Sequence, residues 1–258
     1  MEAFTLALTR LPALKPALRT WSTSFMRWQL RGDRKLRRRV WPDYAFGCKR
    51  ILFSSAYLPA LRRNDVELVT DPIARLSATG VVTSDGIERP ADTIIYGTGF
   101  RADEFVAPLA VHGEQGVELQ QTWREGAEAH LGISVAGFPN LFMLYGPNTN
   151  LGVGSIIVMV EAQAGYVVDA LRALGRAGGG SMSVRPEVQA SSSAALQERL
   201  GNSVWTQCES WYRKDGDGRV VGNWPGLMLE YQRATRSVDP SEYHFESPEP
   251  SKPSAVRI

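Results

Sequence analysis

The sequence has little of what would place it in a specialised class. Only two of its 258 residues are cysteine, Cys48 and Cys208, far apart and in no metal-ligand spacing. That argues against a disulfide framework and against a zinc site, and it fits a reducing compartment. No apolar run approaches the ~18 residues of a membrane span. The N-terminus lacks an uninterrupted apolar stretch with a small-residue cleavage site, so no signal peptide is expected and the expected location is the cytoplasm. Histidine is scarce and scattered: His112, His130 and His244 form no H-E-x-x-H, and each reads as a surface or loop histidine. A G-x-S-x-G elbow and a Walker A loop are both missing, which leaves hydrolase and P-loop chemistry without support.

What is present is ordinary globular material, 43% hydrophobic, 22% charged and 9% aromatic. The length allows one or two domains and a sizeable core. The net charge of +2 hides an asymmetry. The first fifty residues hold twelve Lys or Arg against three Asp or Glu, a net of +9, and the other 208 carry −7. Such a basic segment suits nucleic acid, anionic lipid or a phosphate-bearing cofactor, or is a solvated helix face. The solvated face is the simpler reading; neither nucleic-acid binding nor stable membrane insertion is expected.

Apolar residues recur every three or four positions from Phe4 through Leu8, Leu11, Leu14, Leu18, Trp21 and Phe25 to Trp28, which predicts helix over 4–40. Pro12 and Pro16 should break or kink it, and Gly32-Asp33 punctuates it. Beyond Trp41, the short apolar run at 51–53 and the segments 66–69, 73–76, 80–83 and 91–96 read as extended, with a hairpin turn at Ser84-Asp85-Gly86. The 91–96 segment is the strongest of these and runs into Gly97-Thr98-Gly99, where backbone can be approached closely. A second strand is expected at 140–145, then a Gly-rich turn, then a helix over 155–174 with Ile156, Val160, Val167 and Leu171 along one side. Gly152-Val153-Gly154 begins a G-x-G-x-x-G whose last position is Ile157, an incomplete dinucleotide fingerprint that also reads as a plain structural turn. Gly178–Ser181 reads as a turn, 183–201 as strand and helix, and the tail from Ser247 as disordered. No internal repeat is visible.

Several segments resemble the Baeyer–Villiger class of flavin monooxygenases. Asp92-Thr-Ile-Ile-Tyr-Gly-Thr-Gly-Phe100 is similar to that family's D-x-I-I-x-A-T-G-F, with Gly97 where alanine is usual. Trp41-Pro-Asp-Tyr-Ala-Phe-Gly-Cys-Lys-Arg50 resembles P-x-Y-P-F-G-C-K-R. Gly137-Phe-Pro-Asn-Leu-Phe-Met-Leu-Tyr-Gly-Pro-Asn-Thr149 resembles G-F-P-N-L-F-x-x-x-G-P-x-T, and Cys208–Tyr212 and Asn223–Gly226 resemble the family's C-terminal part. The motifs come in the family's order.

The resemblance implies an α/β fold, a partial two-dinucleotide-binding-domain (FAD/NAD(P)-binding, Rossmann-like) flavoprotein fold lacking its N-terminal half. It implies a helical segment over 1–40 and the C-terminal part of an NADP-binding domain over 41–90. The C-terminal part of an FAD-binding domain follows over 91–180, then a C-terminal extension over 181–246. It implies FAD and NADPH as cofactors, a ketone or other small organic molecule as substrate, and O2 as the source of inserted oxygen. Lys49 matches the lysine that meets the 2′-phosphate of NADPH, a natural partner for a cation. Thr98 and Gly99 match a strand end against the FAD domain. Asn148, Thr149, Asn150 and Leu151 match the loop before the helix that faces the flavin. Trp211 matches a tryptophan near NADPH and the substrate pocket. Lys49 also reads as a surface lysine and Trp211 as a core aromatic. The complete glycine fingerprints, the F-x-G-x-x-x-H-x-x-x-W-P signature and the family's catalytic arginine have no counterpart, so no catalytic residue is assigned. The expectations are therefore a truncated C-terminal portion inactive alone, a remnant, or one half of a split enzyme needing an N-terminal chain. An N- or S-oxygenating relative is the neighbouring alternative.

Overall fold

The computed structural model describes residues 14–247. The start of the expected apolar helix, with Pro12, and the tail beyond Ser247 lie outside the described residues. The chain divides into two compact units, a smaller one of 17–43 and 52–100 and a larger one that includes Tyr44–Ile51 and everything from Arg101.

In the smaller unit, helix α1 runs over Lys15–Gln29 and α2 over Arg34–Val40. Pro16 does not break α1. It sits in the first turn, where its missing N–H has no helical acceptor to lose. The break expected at Gly32-Asp33 is there: Gly32 takes a φ of 86°, and Asp33 Oδ1 accepts from Leu36 N at 2.8 Å to cap α2. The expected apolar face of α1 is largely uncovered, with Trp21 61% and Trp28 59% exposed. A short helix α3, Tyr57–Ala60, follows, and Gln29 Nε2 donates to Ser55 O at 3.0 Å just before it. Strands β1 (Ile73–Leu76), β2 (Gly80–Thr83) and β3 (Glu88–Pro90) form the expected antiparallel meander. Asp85 ties its hairpin, accepting from Thr83 Oγ1 at 2.5 Å and Ile87 N at 3.0 Å, and these donors hold its carboxyl down to about 2.

The expected strands at 66–69 and 91–96 do not form, and the run at 51–53 is irregular. Residues 92–100 form no hydrogen bond with any described residue. A strand exists only as a member of a ladder, and β propensity alone cannot hold 91–96 extended without a neighbour.

The larger unit holds helices α4 (Leu119–Thr122), α5 (Ile156–Arg176), α6 (Pro186–Gly201) and α7 (Met228–Ala234). Strands β4 (Ser181–Val184) and β5 (Tyr243–Glu246) pair antiparallel, with Met182 opposite Phe245 and Val184 opposite Tyr243. Helix α5 forms where expected; its buried residues are Met159, Gln163, Tyr166, Ala170 and Ala173, and from the apolar side Ile156 and Val167 pack partly buried against the same clusters while Leu171 is exposed. Two of the buried residues are polar and invisible to an apolar pattern: Gln163 bonds both Tyr145 N and Tyr231 OH at 2.8 Å, and the Tyr166 hydroxyl meets that of Tyr243 at 2.9 Å. The segment 140–145 is likewise no strand. Asn140 and Tyr145 have φ of 58° and 62°, outside the β region, and Asn140 bonds Met182 through both its N–H and its side chain.

One expectation is overturned here and another is narrowed. Cys48 and Cys208 are joined as a disulfide across 160 residues of sequence, so the argument from unpaired cysteines to a reducing compartment falls. A count and a spacing cannot show which cysteines meet. His130, expected as a surface or loop histidine, lies in a loop outside the named elements but is buried there, whereas His112 and His244 are exposed. Among the described residues no helix is long and apolar enough to cross a membrane, and no group of three His, Cys, Asp or Glu is placed to hold a metal.

The disulfide closes a long loop of the unfolded chain. A titration of the denatured, unreduced protein should find no free thiol, and two after reduction. Reduction should lower the stability of the larger unit by about 2–4 kcal/mol in urea unfolding. Two free thiols before reduction would refute the pairing.

Burial holds the His130 imidazole down to about 4. Glu242 Oε2 lies 3.3 Å from Nε2 without forming a hydrogen bond, and burial, with the nearby Asp239 carboxylate, pushes the Glu242 carboxyl itself up, which weakens it as a counter-charge. The unfolded chain therefore takes up a proton near pH 6.5 that the folded chain refuses until near 4. Stability should be complete above that span and fall by about 3 kcal/mol on crossing it downward. Unfolding midpoints of wild type and His130→Gln should diverge with pH; parallel profiles would refute the assignment.

Candidate functional site

The residues matched to cofactor contacts fall into two places. Thr98 and Gly99 lie in the smaller unit, exposed, and a Cβ added at Gly99 would meet nothing within 4 Å. Lys49, Asn148, Thr149, Asn150, Leu151 and Trp211 all lie in the larger unit.

The loop Gly146–Leu151 has no regular structure, yet Asn148, Thr149, Asn150 and Leu151 are all buried. Its backbone borrows a partner from far along the chain. Asn148 N donates to Val221 O at 2.8 Å, Asn150 N to Gly222 O at 3.0 Å, and Trp224 N to Asn150 O at 2.8 Å. This is a parallel bridge, Asn150 to Asn223. Side chains complete it. Asn148 Nδ2 donates to Val220 O at 2.9 Å, Asn150 Nδ2 to Asn223 Oδ1 at 2.5 Å, and Thr149 Oγ1 to Gly146 O at 2.7 Å. Tyr145 OH donates to Asn150 Oδ1 at 2.8 Å. Asn148 takes a φ of 57°, a conformation asparagine tolerates better than most residues.

Two glycines let other chain pass close. Gly132 has a φ of 67°, and a Cβ there would strike Thr149 Cγ2 and, at 2.6 Å, Pro147 O. A Cβ at Gly152 would come within 2.8 Å of Trp205. A cavity of about 230 Å³ lies beside the loop, lined by Leu131, Gly132, Pro147, Asn148, Leu196 and Trp224.

After the loop comes the N-terminus of α5. Ser155 makes no side-chain cap and the first turn has no acidic residue, so the helix end presents unsatisfied N–H groups and its partial positive charge.

The disulfide brings the Lys49 and Trp211 segments to this place. Cys48 is fully buried in a cluster with Leu200, Val204, Trp205, Tyr212 and Val220, and Val153 of the Gly-rich turn packs on the same cluster. Lys49 itself is exposed with its ammonium 4.8 Å from the Tyr44 ring. Arg50 faces the Tyr145 and Tyr212 hydroxyls: burial pushes both up, Tyr212 to about 12, and the guanidinium opposes the shift. Trp211 is 45% exposed and packs tilted against the Tyr212 ring, centroids 4.3 Å apart and planes at 42°, so it is no core aromatic. Four buried polar atoms of these segments lack a partner: Trp205 Nε1, Ser210 Oγ, Tyr212 OH and Asn223 Nδ2.

The residues that sequence reasoning missed are those holding the loop from outside: Gly132, Tyr145, Gln163 and above all Asn223. The Asn223-Trp-Pro-Gly226 motif marked the position of Asn223, but nothing local points to Asn150 as its partner, 73 residues away.

No family model matches the chain. It is 43% identical over 215 residues to a Baeyer–Villiger monooxygenase of Pseudomonas aeruginosa, which covers 83% of this chain and 41% of that protein. A Baeyer–Villiger monooxygenase of Streptomyces coelicolor is 41% identical over 223 residues, covering 85% and 43%. Among solved structures, oxidized steroid monooxygenase bound to NADP matches with a TM-score of 0.80 at 29% identity, over 93% of this chain and 46% of that one. The closed form of cyclohexanone monooxygenase matches with a TM-score of 0.76 at 26% identity, over 85% and 43%. The chain thus spans about two fifths of the length of the curated relatives it matches. By sequence along most of its length and by its partial flavoprotein fold, it belongs to the Baeyer–Villiger monooxygenase family and corresponds to the C-terminal portion of its members.

Proposed function

We propose that the chain supplies the flavin-facing loop and part of the NADPH site of an FAD- and NADPH-dependent Baeyer–Villiger monooxygenase acting on a ketone. One observation carries this reading: a buried, doubly anchored loop at 146–151 leads directly into the uncapped N-terminus of the 21-residue helix α5. The unpartnered donors at Tyr212 and Asn223 suit a ligand rich in acceptors, since burying such groups unpaired costs about 1–3 kcal/mol each. The residues present therefore fit a flavin. FAD, reduced by NADPH, would supply the oxygen chemistry that these enzymes use to turn ketones into esters.

The chain's own groups position and polarise. Asn148–Leu151 hold the loop rigid, and the end of α5 favours negative charge near it. Lys49 and Arg50 offer cations to the 2′-phosphate of NADPH, and Trp211, half exposed on the segment the disulfide joins to theirs, offers a ring to the same cofactor. In this reading 41–90 returns from an NADP-binding domain, 91–180 belongs to an FAD-binding domain, and 181–246 is an extension. The neighbouring reading, a portion that is non-catalytic by itself, draws on the ten consecutive exposed residues 91–100 and on the lack of an assignable catalytic side chain.

Purified alone, the chain should carry little or no flavin absorbance, and with the N-terminal half of a relative supplied it should turn yellow. Full flavin occupancy in the chain alone would overturn the division of labour. In the reconstituted protein, Lys49→Ala should weaken NADPH binding about tenfold and leave NADH unchanged, as a lost charge-assisted phosphate contact demands. Equal effects on both cofactors would remove Lys49 from the phosphate site.

A further inference from the structure

The Cys48–Cys208 disulfide joins two stretches without regular structure, 44–51 and 207–212. Lys49 follows one sulfur directly, and Trp211 lies three positions after the other. Residues 48–50 form no hydrogen bond with 207–212, so the sulfur bridge and apolar packing are what join them. The two cysteines are unequally placed. Cys48 is fully buried, whereas Cys208 is only partly covered, between the exposed Gln207 and Glu209. An approaching thiol meets Cys208 first. Cations surround the bridge: Arg213 Nη1 donates to the Cys208 carbonyl at 3.3 Å, and Lys49 and Arg50 come straight after Cys48. Such neighbours favour the thiolate, the form that both attacks and leaves in thiol–disulfide exchange. On either side of Cys208 in sequence, Trp205 Nε1 and Ser210 Oγ are buried without a partner. Polar groups held dry and unpaired favour any opening that lets water in. The other three apolar clusters of this unit, around Tyr166, Trp123 and Tyr231, contain neither cysteine, so they stay closed when the bridge opens.

We propose that Cys48–Cys208 is a thiol–disulfide exchange site, opened within the folded chain by a dithiol reductant, and that its opening frees the Lys49 and Trp211 segments from each other. A thiolate of the reductant attacks Cys208 Sγ and forms a mixed disulfide. Cys48 leaves as a thiolate and takes up a proton. The reductant's second thiolate attacks the reductant's own sulfur in that mixed disulfide. Cys208 is released as a thiolate and is protonated in turn, and the reductant departs as an intramolecular disulfide. Two electrons have passed to the chain, and a disulfide of the same class reverses the step. The oxidised chain keeps the two segments together, with the Cys48 and Cys208 Cα atoms 6.2 Å apart; the reduced chain has no bond to do so. The consequence for a nucleotide rests on the reading of Lys49 as a 2′-phosphate contact. A cation anchored beforehand gives up less freedom on binding, so the oxidised chain holds NADPH more tightly than the reduced one.

The test equilibrates the full chain in mixtures of reduced and oxidised dithiothreitol, quenches with acid and alkylates the thiols in denaturant. Cys48 and Cys208 should become thiols together while circular dichroism keeps the signal of the oxidised chain. On reduction, the amides of 47–51 and 207–212 should exchange at least about tenfold faster, with 156–176 unchanged. Cys208→Ser should show the faster exchange without any reductant; should that variant not fold, the dithiothreitol series on wild type reads the same change. Thiols that appear only where the circular dichroism signal is lost would overturn the proposal, as would exchange at 47–51 and 207–212 that ignores reduction. Affinity for NADP+ should fall about tenfold on reduction, and affinity for NAD+ should not move. Equal NADP+ affinity in the two states would overturn the coupling to the nucleotide. Exchange that responds beside NADP+ binding in neither state would leave the exchange site standing and count against the phosphate reading alone.

Discussion

The candidate site hangs on a pairing between two stretches that have no secondary structure of their own. Residues 148–150 and 221–224 exchange three main-chain hydrogen bonds in parallel, and the Asn150 and Asn223 amides close the pair at 2.5 Å. Each bond is worth only about 1 kcal/mol net. Their effect is larger than the sum because both stretches are buried, where an unmade bond costs more than a made one gains. The surroundings repeat the constraint: Gly132 leaves room for Thr149, Gln163 of α5 accepts from Tyr145 N, and Tyr231 of α7 bonds Gln163 and Leu131 O. The loop, α5 and α7 therefore keep one geometry together.

The larger unit can afford this irregular loop because its apolar clusters are closed. Trp205 and Tyr212 pack around the disulfide, Trp123 and Phe138 form a second nucleus, and Tyr166 with Val184 a third. The smaller unit has no comparable nucleus. Leu30, Leu36 and Val82 are buried, but Trp21, Trp28, Leu52, Phe53 and Ile95 are not. That contrast follows from topology. A meander of consecutive hairpins pairs with itself, whereas the irregular stretch 91–100 has no neighbouring strand in this unit to pair with.

Sequence was a good guide wherever the causes are local. Asp33 caps α2 and the Asp85-Gly86 turn closes its hairpin, each within four residues. Pattern also gave α5 and part of its packed side, but not Gln163 and Tyr166, polar residues whose burial depends on distant hydroxyls. The strands at 91–96 and 140–145 were read from propensity, which is silent about partners. The site residues were found by family resemblance. Their convergence was not, because it rests on Cys48–Cys208 and Asn150–Asn223, contacts 160 and 73 residues apart. Such pairings leave no periodicity to read.

The charge asymmetry of the first fifty residues takes on a sharper meaning in this frame. Arg34, Lys35, Arg37, Arg38 and Arg39 crowd α2 in the smaller unit, whereas Lys49 and Arg50 belong to the larger one. What sets those two apart is the sulfur next to them. Cys48 is fully buried, so the chain must turn outward immediately after it, and Lys49 and Arg50 emerge at a fixed point beside the Trp211 segment. A cation on a free helix face is screened and averaged over rotamers. One held at its backbone by a covalent link loses less entropy when it meets a phosphate, and so converts more of its charge into affinity. A basic segment that composition could assign only to generic anions thus contains two cations whose backbone is anchored next to a disulfide, which is the feature the proposed 2′-phosphate contact draws on.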